Sequence, residues 1–345
     1  MGVLNFFEYS KTHSKSLVQP DDKPVLTKAE REVFVRSIGD HYVANLELDL
    51  SERELNKMSI TDGAEMWRLF VLFRHKMSIK DPSILEEDDR RIDRLAHFLS
   101  TKVMNAKELY CIYSKLTGEP YLFSDTVPLG DRYLCTPPDI RFVTPCYIEY
   151  MLEKYPKDIF EFRKIENGES GQGIRNFISK CVYINGACGY EINSEFAAVD
   201  SEFVEIPRVD IPDDVNPDLM KWMILLSQIE TIATEDERLI YNLYFGLFSK
   251  EILEARFLVP VKEDDDKIWG YPILPGKFDR QAVAIFTDMH RFNEYYSGWK
   301  YRLASLSDII SNYDVIINNT SHPKLGFYIG EQTYLDIINR AKNEE

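Results

Sequence analysis

The chain has 345 residues, of which 44% are hydrophobic and 13% are aromatic. Because a domain usually takes on the order of 100–200 residues, this length and composition predict two domains, each with its own core. The 57 acidic residues outnumber the 41 basic ones, and the net charge of −16 opposes binding to the phosphates of nucleic acid or of an anionic membrane. No apolar run approaches the ~20 residues of a membrane-spanning helix.

The first part of the chain is predicted to be an arm followed by helices. Residues 1–26 lack the basic lead and the cleavage site of a secretory signal, so we expect an N-terminal arm and a cytoplasmic location. Residues 27–30 have the form of a capping box and therefore predict the start of a helix. Apolar residues at helical spacing predict further helices over 62–75 and 88–104.

The spacing of apolar residues then changes from helical to extended. Thr144 and Pro145 open a helix, because proline is tolerated in a first turn where its missing N–H is not needed. A glycine-rich segment, residues 168–173, follows an extended run and precedes a predicted helix that contains Ile174, Phe177 and Ile178. The strands predicted for this half cover residues 109–113, 120–123, 140–143, 160–165 and 181–185.

Prolines and acidic residues over 206–216 predict an extended linker. We therefore expect a first domain, with its preceding helices, over 27–205 and a second domain over 217–345. Helices of the second domain are predicted to begin near residues 217, 234, 287, 305 and 331. Its predicted strands cover residues 257–261, 268–274, 283–286, 300–303, 315–317 and 325–329.

The two halves contain similar segments in the same order. The matched pairs are 98–112 with 247–261, 118–123 with 270–275, 140–144 with 283–287, 162–163 with 301–302, 182–185 with 315–318, and 189–192 with 326–329. The first pair aligns without a gap, and length differences fall at turn-like sites, where loops absorb insertions. The sequence thus predicts an α+β protein with two tandem copies of one domain, each a mixed sheet flanked by helices.

The matching segments of the second half resemble a known family. A helix leads into Leu258-Val-Pro-Val261, a strand ends in Phe286-Thr-Asp288, and an apolar strand ends at Asn318 before a short return strand at Leu325. In these features residues 235–338 resemble the N-terminal domain of the SseB family, the enhanced serine sensitivity proteins of bacteria. The first half resembles the same domain more faintly. The resemblance implies a cytosolic bacterial α+β protein without an established reaction, so it implies no catalytic residue.

Four polar residues are candidates for a ligand-binding crevice. Thr144 and Thr287 follow matching strands, where each hydroxyl is expected to cap the next helix. Asn185 and Asn318 are expected at the ends of two further strands, where an asparagine side chain can satisfy the backbone of a turn. A structural role therefore explains all four. Open sheets also bind ligands at their strand ends, so a crevice lined by these four residues is the alternative.

Other patterns do not form a recognisable catalytic or metal site. Residues 168–173 match neither phosphate-loop motif, so a flexible insertion and a phosphate-binding loop both stay open. The six histidines show no HExxH or HxxxH spacing, and all five cysteines lie in the first half, where buried thiols explain them. The acidic cluster over 263–266 lacks the glycine of a calcium loop. We predict no catalytic residue, no metal and no cofactor.

These observations favour a non-enzymatic protein that acts through a protein partner, in an interaction or regulatory role. One alternative is a small-molecule binder or an enzyme that uses the cleft between the repeats. Another is an immunity protein that neutralises a toxin through its negative charge. The sequence gives neither the identity of the partner or ligand nor the oligomeric state.

Overall fold

The computed structural model of the protein describes residues 29, 33 and 36 and the ranges 58–78, 85–129, 132–194, 196–199, 214–261, 273–275, 280–319 and 325–343. The three isolated residues are helical, as the sequence predicts for that region. The N-terminal arm, Thr27 and Glu30 of the capping box, most of the linker and the acidic cluster over 263–266 lie outside the described residues.

We call residues 58–199 the first unit. Its elements are α1 (Ile60–Ser78), α2 (Leu85–Met104), β1 (Glu108–Ser114), β2 (Leu122–Phe123), β3 (Thr126–Leu129), β4 (Arg132–Cys135), β5 (Asp139–Val143), a 3₁₀ helix (Pro145–Tyr147), α3 (Ile148–Lys154), β6 (Phe160–Glu166), α4 (Gly173–Asn185), β7 (Gly189–Ile192) and β8 (Phe196–Val199). The two long helices and four of the predicted strands are confirmed. The predicted strand over 181–185 is wrong, because these residues are the last turns of α4.

We call residues 214–343 the second unit. Its elements are α5 (Pro217–Gln228), α6 (Glu235–Glu254), β9 (Arg256–Val261), β10 (Ile273–Pro275), β11 (Gln281–Ile285), α7 (Met289–Tyr296), β12 (Lys300–Ser305), α8 (Leu306–Ile310), β13 (Asp314–Ile317), β14 (Phe327–Ile329) and α9 (Glu331–Asn343). The helix predicted from residue 234 is confirmed, with a complete capping box between Thr234 and Glu237.

The two units pair their strands in the same pattern. In the first unit the order is β6-β1-β5-β7-β8, with β2 also on β5, and only β5 and β7 are parallel. In the second unit β12 pairs with β9, and a bridge from Leu258 to Phe286 joins β9 to the end of β11. Strand β11 pairs with β10 on one side and with the parallel strand β13 on the other, and β13 pairs with β14. The protein is therefore α+β, with a mixed sheet in each unit.

The pairing corrects the alignment of the two halves by one residue at their first strands. Tyr110 of β1 lies opposite Val143, whereas Leu258 of β9 lies opposite Phe286. Since Val143 and Phe286 hold the same position, Tyr110 corresponds to Leu258, and Leu109 does not. A gap-free alignment cannot detect this shift, because a slip of one residue exchanges the two faces of a strand while both faces are apolar.

The last aligned pair, residues 189–192 with 326–329, is also wrong. Strand β7 (Gly189–Ile192) is the parallel neighbour of β5, which is the position that β13 holds in the second unit. Its counterpart is therefore residues 314–317. The strand that corresponds to β14 is β8, which the sequence did not predict.

One hydrophobic core extends through both units. Helix α5 is buried from Leu219 to Ser227 and packs against α4 of the first unit as well as α6 of its own. At its end the side-chain amide of Gln228 accepts a hydrogen bond from Leu122 N (3.0 Å) and donates one to Leu122 O (2.8 Å). Burial of apolar side chains on both sides of α5 stabilises the contact between the units, at about 25 cal/mol per Å².

Candidate functional site

In the second unit, Thr287 and Asn318 meet at the end of two parallel strands. Thr287 follows β11 and Asn318 follows β13, so their side chains are neighbours at one sheet edge. Asn318 Oδ1 accepts a hydrogen bond from Thr287 N (3.1 Å), and Asn318 Nδ2 donates to Thr287 Oγ1 (3.0 Å). Asn318 has a φ of 48° and its N–H donates to Ile285 O (2.9 Å). We call this arrangement a Thr–Asn corner.

The first unit contains the same corner, but its asparagine is Asn193. Asn193 Oδ1 accepts from Thr144 N (3.0 Å), and Asn193 Nδ2 donates to Thr144 Oγ1 (3.0 Å). Its φ is 52°, and its N–H donates to Phe142 O (2.9 Å). Asn193, which sequence reasoning missed, is therefore the counterpart of Asn318. The expected position of Asn185 at a strand end is wrong.

A signal for the correct assignment was present in the sequence. The buried apolar residues of α4 recur at positions 174, 178, 181 and 182, which is the spacing of one helix face. The segment over 181–185 taken alone resembles a strand, because four or five apolar residues fit either structure. The helix predicted around Ile174, Phe177 and Ile178 is confirmed and continues through this segment to Asn185, so the next strand begins at Gly189.

Asn185 instead lies in a buried polar network between the two units. Its Oδ1 accepts from Arg291 Nη2 (3.0 Å), and its Nδ2 donates to Glu119 Oε2 (3.2 Å). Arg291, only 1% exposed, also pairs with Asp288 (2.5 Å) and with Glu119 (2.5 Å). Burial alone would lower the pKa of Arg291, but the two carboxylates outweigh it and raise the pKa. The arginine of the second unit is thus held by an acid of each unit.

All four predicted site residues are buried and hydrogen-bonded within the chain. Thr144, Thr287 and Asn318 are 0% exposed and Asn185 is 2% exposed. Three of them lie in one connected network, since Thr287 Oγ1 donates to Asp288 Oδ2 (2.8 Å) and Arg291 joins Asp288 to Asn185. Thr144 lies in the corner of the first unit. The expected caps are also wrong, since the Thr144 side chain makes no cap hydrogen bond and Asp288 caps α7 in place of Thr287. The geometry favours a structural role, and ligand binding at these residues stays a prediction.

The glycine-rich segment forms a turn that Asn167 fixes to the rest of the first unit. Asn167 Nδ2 donates to Met104 O (2.7 Å) and Ala106 O (2.8 Å), while its Oδ1 accepts from Ile174 N (2.9 Å). These bonds tie the start of α4 to the end of α2. They explain the turn without a ligand, and phosphate binding by residues 168–173 stays untested.

A hairpin of β3 and β4 projects from the first unit between β2 and β5. Val127 and Leu134 lie directly opposite each other on it and are 52% and 55% exposed. Two hydrogen bonds between Asp125 and Thr136 close the base of the hairpin. Asp125 N donates to Thr136 Oγ1 (2.8 Å), and Thr136 N donates to Asp125 O (2.8 Å). This hairpin was not predicted from the sequence.

Other properties of the described part of the chain bear on the class of site. No three His, Cys, Asp or Glu side chains of these residues gather closely enough to hold a metal ion. All five cysteines are free thiols. Within the described ranges, every helix is too short or too polar to span a lipid bilayer.

Comparison with known proteins gives no relative: no protein-family model, no curated protein and no solved structure matches the chain.

Proposed function

We propose that the protein is a non-enzymatic interaction protein and that the β3–β4 hairpin contacts its protein partner. The observation that carries this proposal is the exposed cross-strand pair of Val127 and Leu134. Single apolar residues on a surface are ordinary, but two that face each other form a small continuous apolar patch.

The base of the hairpin is closed by hydrogen bonds and contacts the body of the protein at one of them. Ser124 donates from its hydroxyl to Thr136 O (2.7 Å), and the Tyr244 hydroxyl of α6 donates to Ser124 O (3.4 Å). A patch on a pre-ordered hairpin loses little conformational freedom when a partner binds, which favours affinity. The buried polar residues, by contrast, use their hydrogen bonds inside the chain.

We further propose that the chain is a tandem duplication of an SseB-like domain and that it acts in a bacterial cytosol. The common strand-pairing pattern and the two Thr–Asn corners support a duplication, since one ancestral domain would leave the same contacts in both copies. The SseB resemblance rests on the sequence segments around Leu258, Phe286 and Asn318.

Affinity purification from the source cells tests the interaction proposal. We expect a reproducible companion with the wild-type protein and its loss with the Val127→Asp/Leu134→Asp double variant, because two carboxylates oppose burial of the patch. Leu335→Asp on α9 is the matched control, since Leu335 is also exposed (47%) but lies on another element. A companion that survives the hairpin variant, or none with the wild type, would contradict the proposal.

A further inference from the structure

Strands β5 and β7 of the first unit carry a charged pair where the second unit is apolar. Arg141 and Glu191 lie directly opposite each other in the parallel pairing. Ala284 and Ile316 form the corresponding pair of β11 and β13. The same strand pairing therefore forms in the second unit without charges at these two positions. Since burying an ion pair seldom adds stability over apolar residues, the pair calls for an explanation other than folding.

The Arg141 guanidinium is held in one orientation. Its central carbon lies 3.5 Å from the centroid of the Phe123 ring, and the side chain is 4% exposed. Its Nη1 donates to the Tyr155 hydroxyl and to Ser194 Oγ (3.3 Å). A guanidinium stacked on a ring and fixed at one nitrogen is pre-ordered to receive a planar group at its other edge.

That other edge lacks a hydrogen bond in the described structure. Arg141 Nε lies 3.2 Å from Glu191 Oε2, yet both atoms are buried and neither makes a hydrogen bond with the described residues. A buried N–H without a well-aligned acceptor is unfavourable by about 1–3 kcal/mol, so a better-aligned acceptor would bind this edge more strongly than Glu191 does. Glu191 neutralises the charge but does not satisfy the donor.

The backbone at Ser194 provides a second, independent indication. Ser194 has a φ of 61°, a conformation that glycine adopts without strain and that serine rarely does. Serine at this turn keeps a hydroxyl within hydrogen-bond distance of Arg141. Backbone strain of this kind is concentrated at binding sites, where the side chain it positions has a use.

Aromatic rings enclose the same place. Tyr121, Tyr155 and Phe160 contact one another edge to face, with centroids 5.1 to 6.1 Å apart. Tyr121, Phe123 and Ser194 are partly exposed, and the Glu191 side chain is 22% exposed. The guanidinium itself is covered, so a small molecule reaches it only when the Glu191 side chain moves, and its apolar part would then lie against the rings.

We propose that this cluster of Arg141, Phe123, Tyr155, Glu191 and Ser194 binds a small carboxylate with an aromatic or apolar body. The ligand carboxylate replaces Glu191 at the Nε edge of the Arg141 guanidinium and accepts from it in the two-pronged geometry that carboxylates prefer. Glu191 moves aside toward solvent, and the body of the ligand packs on the exposed rings. Glu191 is then the internal competitor of the ligand.

Titration with benzoate, followed by calorimetry, tests this site, with benzamide as the uncharged analogue. We expect wild-type protein to bind benzoate and not benzamide. Glu191→Gln should bind benzoate several-fold more tightly, since the competing charge is gone. The Arg141→Ala/Glu191→Ile double variant reproduces the pair that the second unit already tolerates, so it should fold and lose benzoate binding.

Several results would overturn the proposal: no benzoate binding by the wild type, equal binding of benzamide, weaker binding by Glu191→Gln, or binding kept by the double variant. If the double variant does not fold, the Glu191→Gln result decides. The hairpin variant Val127→Asp/Leu134→Asp should bind benzoate like the wild type, which separates this site from the protein-interaction proposal.

Acidity provides a further readout of the competition. Burial raises the pKa of Glu191; nearby Arg141 and Lys154 oppose this shift, and Asp125 adds to it. Glu191 therefore becomes neutral at a higher pH than an ordinary glutamate. We expect the affinity of the wild type for benzoate to rise as the pH falls below neutral, and the affinity of Glu191→Gln to change less.

Discussion

The carbonyl oxygen of Pro217 lies only 1.9 Å from the position that a Cβ atom on Gly186 would take. Gly186 ends α4 of the first unit with a φ of 73°, and Pro217 begins α5 of the second. A side chain at residue 186 would therefore meet the backbone of the other unit. The missing side chain lets the two helices approach, and this approach closes the shared core.

Gly186→Ala should accordingly lower the free energy of unfolding by about 2–5 kcal/mol, from the left-handed backbone and from the clash with α5. Gly171→Ala is the matched control, because Gly171 has a φ of 65° and a Cβ atom added to it would meet nothing within 4 Å. Gly171→Ala should lose only the stability that the left-handed backbone costs an alanine, about 1–2 kcal/mol. Urea unfolding of both variants measures the difference, and equal losses would contradict the close approach.

Arg291→Met should destabilise the protein by about 3–5 kcal/mol, since it leaves the carboxylate of Asp288 buried without its partner. Arg238→Met removes an arginine from an exposed pair with Glu235 and should change stability by no more than about 0.5 kcal/mol. Thermal and urea unfolding of the two variants provide the measurement. A small effect at Arg291 would mean that the network between the units contributes little to the fold.

Asn318→Ala tests the Thr–Asn corner. The variant leaves the buried N–H of Thr287 without an acceptor and puts alanine at a φ of 48°, so we expect a loss in the free energy of unfolding of about 2–4 kcal/mol. Asn318→Gly avoids the backbone strain, because glycine adopts a positive φ readily, so it should lose less stability than Asn318→Ala. Asn319→Ala, at the exposed neighbouring residue, should stay within about 0.5 kcal/mol of wild type. Urea unfolding measures the three losses, and we expect the largest for Asn318→Ala, a smaller one for Asn318→Gly and the smallest for Asn319→Ala.

Tyr244 predicts a dependence of stability on alkaline pH. Burial raises the pKa of Tyr244 to about 12, whereas an unfolded tyrosine has a pKa of about 10. The folded state holds the proton more tightly, so this contribution to stability is complete below about pH 10 and is lost as the pH rises toward about 12.

Tyr244→Phe should therefore lose less stability than the wild type between neutral and alkaline pH, because phenylalanine cannot ionise. At neutral pH the variant should lose no more than about 1 kcal/mol, since the bond to Ser124 O is long at 3.4 Å. Urea unfolding at several pH values measures both effects. Parallel pH profiles for the two proteins would contradict a buried, protonated Tyr244.

Local signals in the sequence predicted most of the elements. The capping box at Thr234 and the polar residue after each of the strands β5 and β11 depend on neighbours along the chain, which a sequence displays directly. Asn185 and Asn193 could not be told apart in the same way, because a short apolar run before an asparagine fits a helix end as well as a strand end.

Contacts between residues far apart in the chain could not be predicted from the sequence. The shift that pairs Tyr110 with Leu258 is set by the partner strand, and a slip of one residue leaves the apolar pattern unchanged. The Arg141–Glu191 pair also requires the parallel register of β5 and β7, which no local pattern encodes. These are the places where tertiary structure decides.

Helix α5 has consequences for how the chain can be divided. Nearly every residue from Leu219 to Ser227 is buried, although the helix opens the second unit. A fragment that begins at α5 would present to water the apolar surface that α4 covers in the intact chain. The halves are thus complementary fragments: expressed separately they should be poorly soluble, and expressed together they should reassemble.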